Sequence, residues 1–94
     1  MSADVILEIR KRILTSGSMS AERVEAMREL PLPLQLALVR RHYKITQSQL
    51  AAALGTTQGL YSRLENKNYK AELRHYQAVA KIMMMRVSFL LPKL

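Results

Sequence analysis

Apolar residues recur at helical spacing along most of the chain, so its elements are predicted to be helices. Val5 to Leu14 reads as an amphipathic helix, with Ile6, Ile9 and Ile13 on one face and Arg10, Lys11 and Arg12 partly opposite. Thr15-Ser16-Gly17-Ser18 breaks that pattern. Ser20 can cap a second helix, Ala21 to Leu30, with Arg23 leaving the capping box half formed. Pro31 and Pro33 end it. The expected boundary therefore lies at 31–33, with an N-terminal helical extension, 1–33, ahead of a main domain, 34–94.

Signals sharpen from Leu34 onward. Leu36, Val39 and Tyr43 make a helical stripe through Gln35–His42. Thr46-Gln47-Ser48-Gln49 is a full capping box, in which the Thr46 hydroxyl accepts from the Gln49 amide and Gln49 reaches back. It opens a helix whose predicted inner face is Leu50, Ala51 and Leu54. Gly55 ends that helix, because glycine tolerates a left-handed cap. Thr57 then caps a helix over Gln58–Glu65, with Tyr61 and Leu64 inward. Asn66 to Lys70 is a polar loop. A further helix is predicted over Ala71–Met83, with Leu73, Tyr76, Val79, Ala80 and Met83 on one face. Beyond it, Met85, Val87 and Phe89 alternate with Arg86 and Ser88, a strand-like pattern.

Composition narrows the chemistry. A chain of 94 residues allows one small domain, and its core is small enough for a second subunit to help. With no cysteine there is neither a disulfide framework nor a thiolate zinc site, so metal binding would rest on His42, His75 and seven carboxylates. Asp4 and Glu8 interrupt the first apolar stretch, which is wrong for a signal peptide. No apolar run approaches the roughly 20 residues that span a bilayer.

Charge is unevenly placed. Residues 1–34 are balanced, whereas residues 35–94 hold ten basic residues against only Glu65 and Glu72, so the whole net charge of +8 lies there. A cationic domain behind a neutral extension points to a polyanionic partner, nucleic acid before an anionic membrane. The mixed charges of Val5–Arg12 weigh against a membrane-surface helix.

Two short helices joined by a glycine turn are the minimum of a helix-turn-helix, whose second helix enters the DNA major groove while the first braces it. The stretch from Thr46-Gln47-Ser48-Gln49-Leu50-Ala51 through Leu54-Gly55-Thr56-Thr57-Gln58 to Ser62-Arg63-Leu64-Glu65-Asn66 closely resembles the XRE/Cro–CI (lambda-repressor-like) helix-turn-helix family. The likeness runs from about Leu34 to Leu91. It implies an all-α, five-helix domain, with 85–91 as a short fifth helix or, as in some antitoxin members, a dimerising β-strand. Three positions depart from the family's pattern: Lys44 and Lys67 stand where glycine is usual, and Tyr61 replaces an aliphatic residue. Met84 also stands where a glycine would precede the last segment.

The resemblance implies roles residue by residue. Gln58 corresponds to the principal base reader, and a glutamine can bond adenine N6 and N7 together. Gly59 lets the backbone come close, Leu60 suits a thymine methyl or a protein partner, and Arg63 can reach a guanine or a phosphate. Gln47, Thr57, Ser62, Lys67 and Asn68 are the expected phosphate contacts, Gln47 from a helix N-terminus. Arg40 is expected to pair with Glu65, with Arg41 as the competing partner.

These residues imply a sequence-specific regulator of double-stranded DNA, a homodimeric repressor on a palindromic operator. The alternative is the antitoxin of a toxin–antitoxin pair, its extension binding the toxin while the domain represses the operon. Either would be cytoplasmic, on bacterial or phage DNA. No enzyme, cofactor or metal is expected: Asp4 is the only aspartate, no Ser–His–Asp set is evident, and Glu72 with His75 makes a lone i, i+3 pair on a solvated face.

Overall fold

The computed structural model describes residues 3–17 and 19–84. These build α1 (Ala3–Thr15), α2 (Ala21–Met27), α3 (Leu32–His42), α4 (Gln47–Leu54), α5 (Gln58–Ser62), a 3₁₀ turn (Arg63–Glu65) and α6 (Leu73–Ile82), with no strand among the described residues. The expected helix or strand over 85–91 lies outside them.

One core joins nearly all of these elements. Leu36 and Val39 of α3 meet Leu50, Ala51 and Ala53 of α4, Tyr61 and Leu64 from the recognition region, and Tyr76, Val79, Ala80 and Ile82 of α6. Ile9 of α1 belongs to the same cluster at 0% exposure, and Met27 of α2 joins it. α1 lies against α4 and α6, while α3 backs the 3₁₀ turn. Enclosing an isoleucine side chain contributes about 2–3 kcal/mol, so α1 is held by its middle. Ile6 and Ile13 pack partly buried on either side of it.

Two arginines of α1 complete its docking. Arg10 Nε donates to the Ile82 carbonyl at 3.0 Å and its Nη2 to the Lys81 carbonyl at 3.3 Å, at the carboxyl end of α6. Arg12 Nη1 donates to the Lys44 carbonyl at 3.0 Å, just past the end of α3. Both cations thus meet carbonyls at or just past the negative end of a helix.

Several expected boundaries move. α2 stops at Met27 rather than Leu30, because Leu30 precedes Pro31 and is disfavoured from the helical region. The last amides turn instead to tighter bonds, Glu29 to Ala26 and Leu30 to Met27. α3 starts at Leu32 rather than Gln35, so the prolines open this helix as well as closing the one before. A missing N–H is no loss in a first helical turn. Gln35, fully buried, donates from Nε2 to the Leu30 carbonyl at 2.9 Å and ties the two helices together.

In α4 the capping box forms: Gln49 N–H donates to Thr46 Oγ1 at 3.0 Å and Thr46 N–H to Gln49 Oε1 at 2.8 Å. Ala53, not Leu54, is its third core residue, and Leu54 is only partly buried. The helix expected over Gln58–Glu65 is α-helical only to Ser62 and then tightens into the 3₁₀ turn. α6 is shorter than expected, and Leu73, at 46% exposure, turns away from the core. Tyr76 stays inside and donates its hydroxyl to the Leu64 carbonyl at 2.9 Å.

Candidate nucleic-acid interface

Gln47 and Gln58 are the first residues of α4 and α5, so their amides stand at two helix N-termini. Gln58 Nε2 donates to Gln47 Oε1 at 2.7 Å, and Gln47 Nε2 donates to Glu65 Oε1 at 3.0 Å. Glu65 is gripped from behind by Arg40, whose Nε and Nη2 reach its two oxygens at 2.7 and 2.9 Å. The remaining Arg40 nitrogen, Nη1, donates to the Ile45 carbonyl at 2.9 Å. Arg41 is exposed and takes no part in this pairing. A chain of hydrogen bonds, charge-assisted as far as Gln47, thus runs from a nearly buried ion pair to an exposed glutamine.

This chain leaves the right atoms free. An amide nitrogen carries two hydrogens, so Gln58 keeps one N–H and its oxygen for a base edge. That is the donor and acceptor pair that adenine N7 and N6 require. Gln47 likewise keeps one N–H for an anion at the amino end of α4.

The pair's electrostatics follow from its burial. Burial works against the Glu65 charge, but hydrogen bonds from Arg40 and Gln47 outweigh it and hold the carboxyl below its usual range. The same hydrogen bond raises the Arg40 guanidinium further, against its own burial. Tyr61 is enclosed nearby, its hydroxyl without a hydrogen-bond partner, and burial followed by the Glu65 charge pushes its ionisation upward.

The other expected contact residues surround these amides. Thr57 Oγ1 accepts the Leu60 amide at 3.1 Å as the cap of α5, which leaves its hydroxyl hydrogen for a phosphate. Gly59 is exposed, and a Cβ there would meet nothing within 4 Å, so protein packing does not require glycine. Leu60, at 50% exposure, lines a groove of about 370 Å³ with Leu54, Leu64 and Ala78. Ser62 spends its hydroxyl hydrogen on the Gly59 carbonyl at 2.8 Å, so in this rotamer it can only accept. Arg63 lies over the Tyr69 ring, 5.9 Å from its centre, a stacked position that pre-orients the guanidinium. Lys67 and Asn68 are exposed in the next loop, where the Asn68 amide bonds Asn66 Oδ1 at 2.9 Å.

Tyr69 and Arg12 lie outside the motif residues. The sequence signal for Tyr69 is an aromatic residue in an otherwise polar loop, six places after Arg63. Arg12 had no local signal, because its partner is 32 residues away. Glu72, half of the lone i, i+3 pair, bonds Arg74 at 2.8 Å. No group of three metal-ligating side chains is found among the described residues. Nor is any described helix long and apolar enough to cross a membrane.

The helix-turn-helix family model matches residues 36–83, just over half of the chain, from the middle of α3 through α6. No curated protein and no solved structure matches it.

Proposed function

The chain belongs to the XRE/lambda-repressor-like helix-turn-helix family of DNA-binding transcription regulators, and from that premise we propose that it is a sequence-specific dimeric repressor acting on a palindromic operator. The observation that carries this reading is the hydrogen-bonded chain Arg40–Glu65–Gln47–Gln58. It fixes an adenine-reading amide at the exposed start of α5 before any DNA arrives, which lowers the ordering cost of binding. Gln58, Gly59, Leu60 and Arg63 are the base-facing residues. Gln47, Thr57, Lys67 and Asn68 hold the flanking phosphates, and Ser62 joins them by turning its hydroxyl hydrogen away from the Gly59 carbonyl. One short recognition helix covers few base pairs, so two copies read half-sites roughly 34 Å apart.

The test separates reading from anchoring. Gln58→Ala is expected to lose about 1–3 kcal/mol at a selected site and to relax preference at one base pair. Lys67→Ala is expected to weaken all sequences alike and flatten the salt dependence. Identical profiles for the two variants on selected and random DNA would remove the assignment.

A second reading, the antitoxin, is favoured by one feature. Leu7 and Leu14 stand two turns apart on the outer side of α1, 64% and 75% exposed. An apolar pair of that kind suits a protein partner such as a toxin, with residues 1–33 as the binding arm, and a stoichiometric toxin co-purifying with the chain would select it.

A further inference from the structure

Three helices are followed by a left-handed residue, Lys44, Gly55 and Met84, and for two of them, α3 and α4, both bonds of the turn are described. After α4, the Gly55 amide bonds the Ala52 carbonyl at 3.1 Å and the Thr56 amide bonds Ala51 at 2.9 Å, with Gly55 at φ 73°. After α3, the Lys44 amide bonds the Arg41 carbonyl at 3.0 Å and the Ile45 amide bonds Arg40 at 3.1 Å, with Lys44 at φ 56°. Both are Schellman turns, in which the residue past the helix turns left-handed. Glycine enters that region without penalty, whereas a Cβ is strained there.

The chain holds its lysine in this strained state from two sides. Arg12 Nη1 grips the Lys44 carbonyl at 3.0 Å, and Arg40 Nη1 grips the next carbonyl, Ile45, at 2.9 Å. Ile45 is itself buried and roots the turn. Strain that the surroundings enforce is found where a side chain is used. Lys44 is exposed, two residues before the Thr46 cap and three before Gln47. Lys44 therefore comes just before the amino end of α4 in the chain, where the first amides favour an anion.

We propose that Lys44 is a further phosphate-contacting residue of the DNA interface, carried next to Gln47 on a left-handed turn that Arg12 and Arg40 enforce. The inference rests on the DNA-binding reading and deepens it. It also gives α1 a part in positioning that interface, through Arg12.

The test uses the full chain and its K44G and K44R variants, on a random-sequence DNA duplex across a salt series and in thermal melts. Glycine relieves the turn, so K44G is expected to melt roughly 4–8 °C higher. It is nonetheless expected to bind about fivefold more weakly near 0.15 M salt, with a salt slope shallower by about one per protomer. K44R keeps both charge and strain and is expected to match the parent in melting and slope. An unchanged slope in K44G overturns the proposal, and so does a lower melting point, which would mean that the turn is not strained. A parent chain that binds no duplex at all overturns the DNA-binding reading, and this inference with it.

Discussion

The first helix and the recognition helix are held in place by opposite means. α1 is fixed by Ile9, fully enclosed against α4 and α6, and by two arginines on the ends of α6 and α3. α5 is five residues long and buries Tyr61 alone. What orients its exposed end is polar: the Thr57 cap and the links from Gln58 through Gln47 and Glu65 to Arg40. Burial is strong but indifferent to small rotations, so it decides whether the fold persists. Hydrogen bonds contribute less to net stability but are directional, so they decide where an amide points. The molecule uses burial to attach α1 and directionality to aim the Gln58 amide.

The largest effect is expected where burial acts. Ile9→Ala should destabilise the chain by about 4 kcal/mol, in the upper half of the range for such truncations, because the side chain is fully enclosed in the core. Against a typical total of about 5–15 kcal/mol, that is enough to unfold part of the population. Urea unfolding measures it. Base preference, scored on the fraction that remains folded, should not change. A loss below about 1 kcal/mol would mean that α1 is an appendage that burial does not hold.

Arg40→Met is the matching experiment on the polar side. It leaves the Glu65 carboxylate nearly buried with its main partner gone, at a cost of about 3 kcal/mol. Here stability and base preference should fall together, since Glu65 no longer steadies Gln47. The parent chain carries a pH signature of the same pair. The Glu65 carboxyl is held below its ordinary value, so its contribution is complete above the unfolded carboxylate value near 4.3 and is lost as pH falls through the lower folded value. Glu65→Gln should flatten that acid limb of the stability profile. An unchanged acid limb in Glu65→Gln would show that other carboxylates set it.

What the sequence made legible divides along the same line. The caps at Thr46 and Thr57 and the left-handed Gly55 were readable because each is a local device, complete within four residues. The ends of α2 and α3 were misplaced because a proline can both stop one helix and open another. Leu54 and Ala53 exchanged roles, and Leu73 faced outward, because a helix of eight to ten residues offers too few turns for periodicity to fix its inner face. Arg10 meets Ile82 across 72 residues, and no local pattern announces such a bond. At the candidate site the Arg40–Glu65 pair was legible, since it rests on residue types at fixed places in the motif. The Lys44 turn was visible only as a departure from an expected glycine; its strain and its two guanidinium supports required coordinates.

The smallest expected effect sharpens the comparison most. Gly59 lies in α5 without a left-handed backbone, and an added Cβ meets no protein atom within 4 Å. Alanine at that position should therefore stabilise the chain by about 0.5–1 kcal/mol through helix propensity alone. The protein's own packing gives no reason for glycine. Close approach of a base edge or sugar does, because a methyl group at the second residue of the recognition helix would stand between backbone and DNA. Gly59→Ala should then melt higher and bind its selected site more weakly, the same pair of signs expected of K44G. At Lys44 the chain keeps a side chain where glycine would be more stable, and at Gly59 it keeps glycine where a side chain would be more stable. Stability gained without loss of affinity at Gly59 would place the DNA further from the start of α5 and shift the burden of reading to Leu60 and Arg63. Stability gained with affinity lost at both positions would mark the two as places where binding DNA, rather than folding, set the residue.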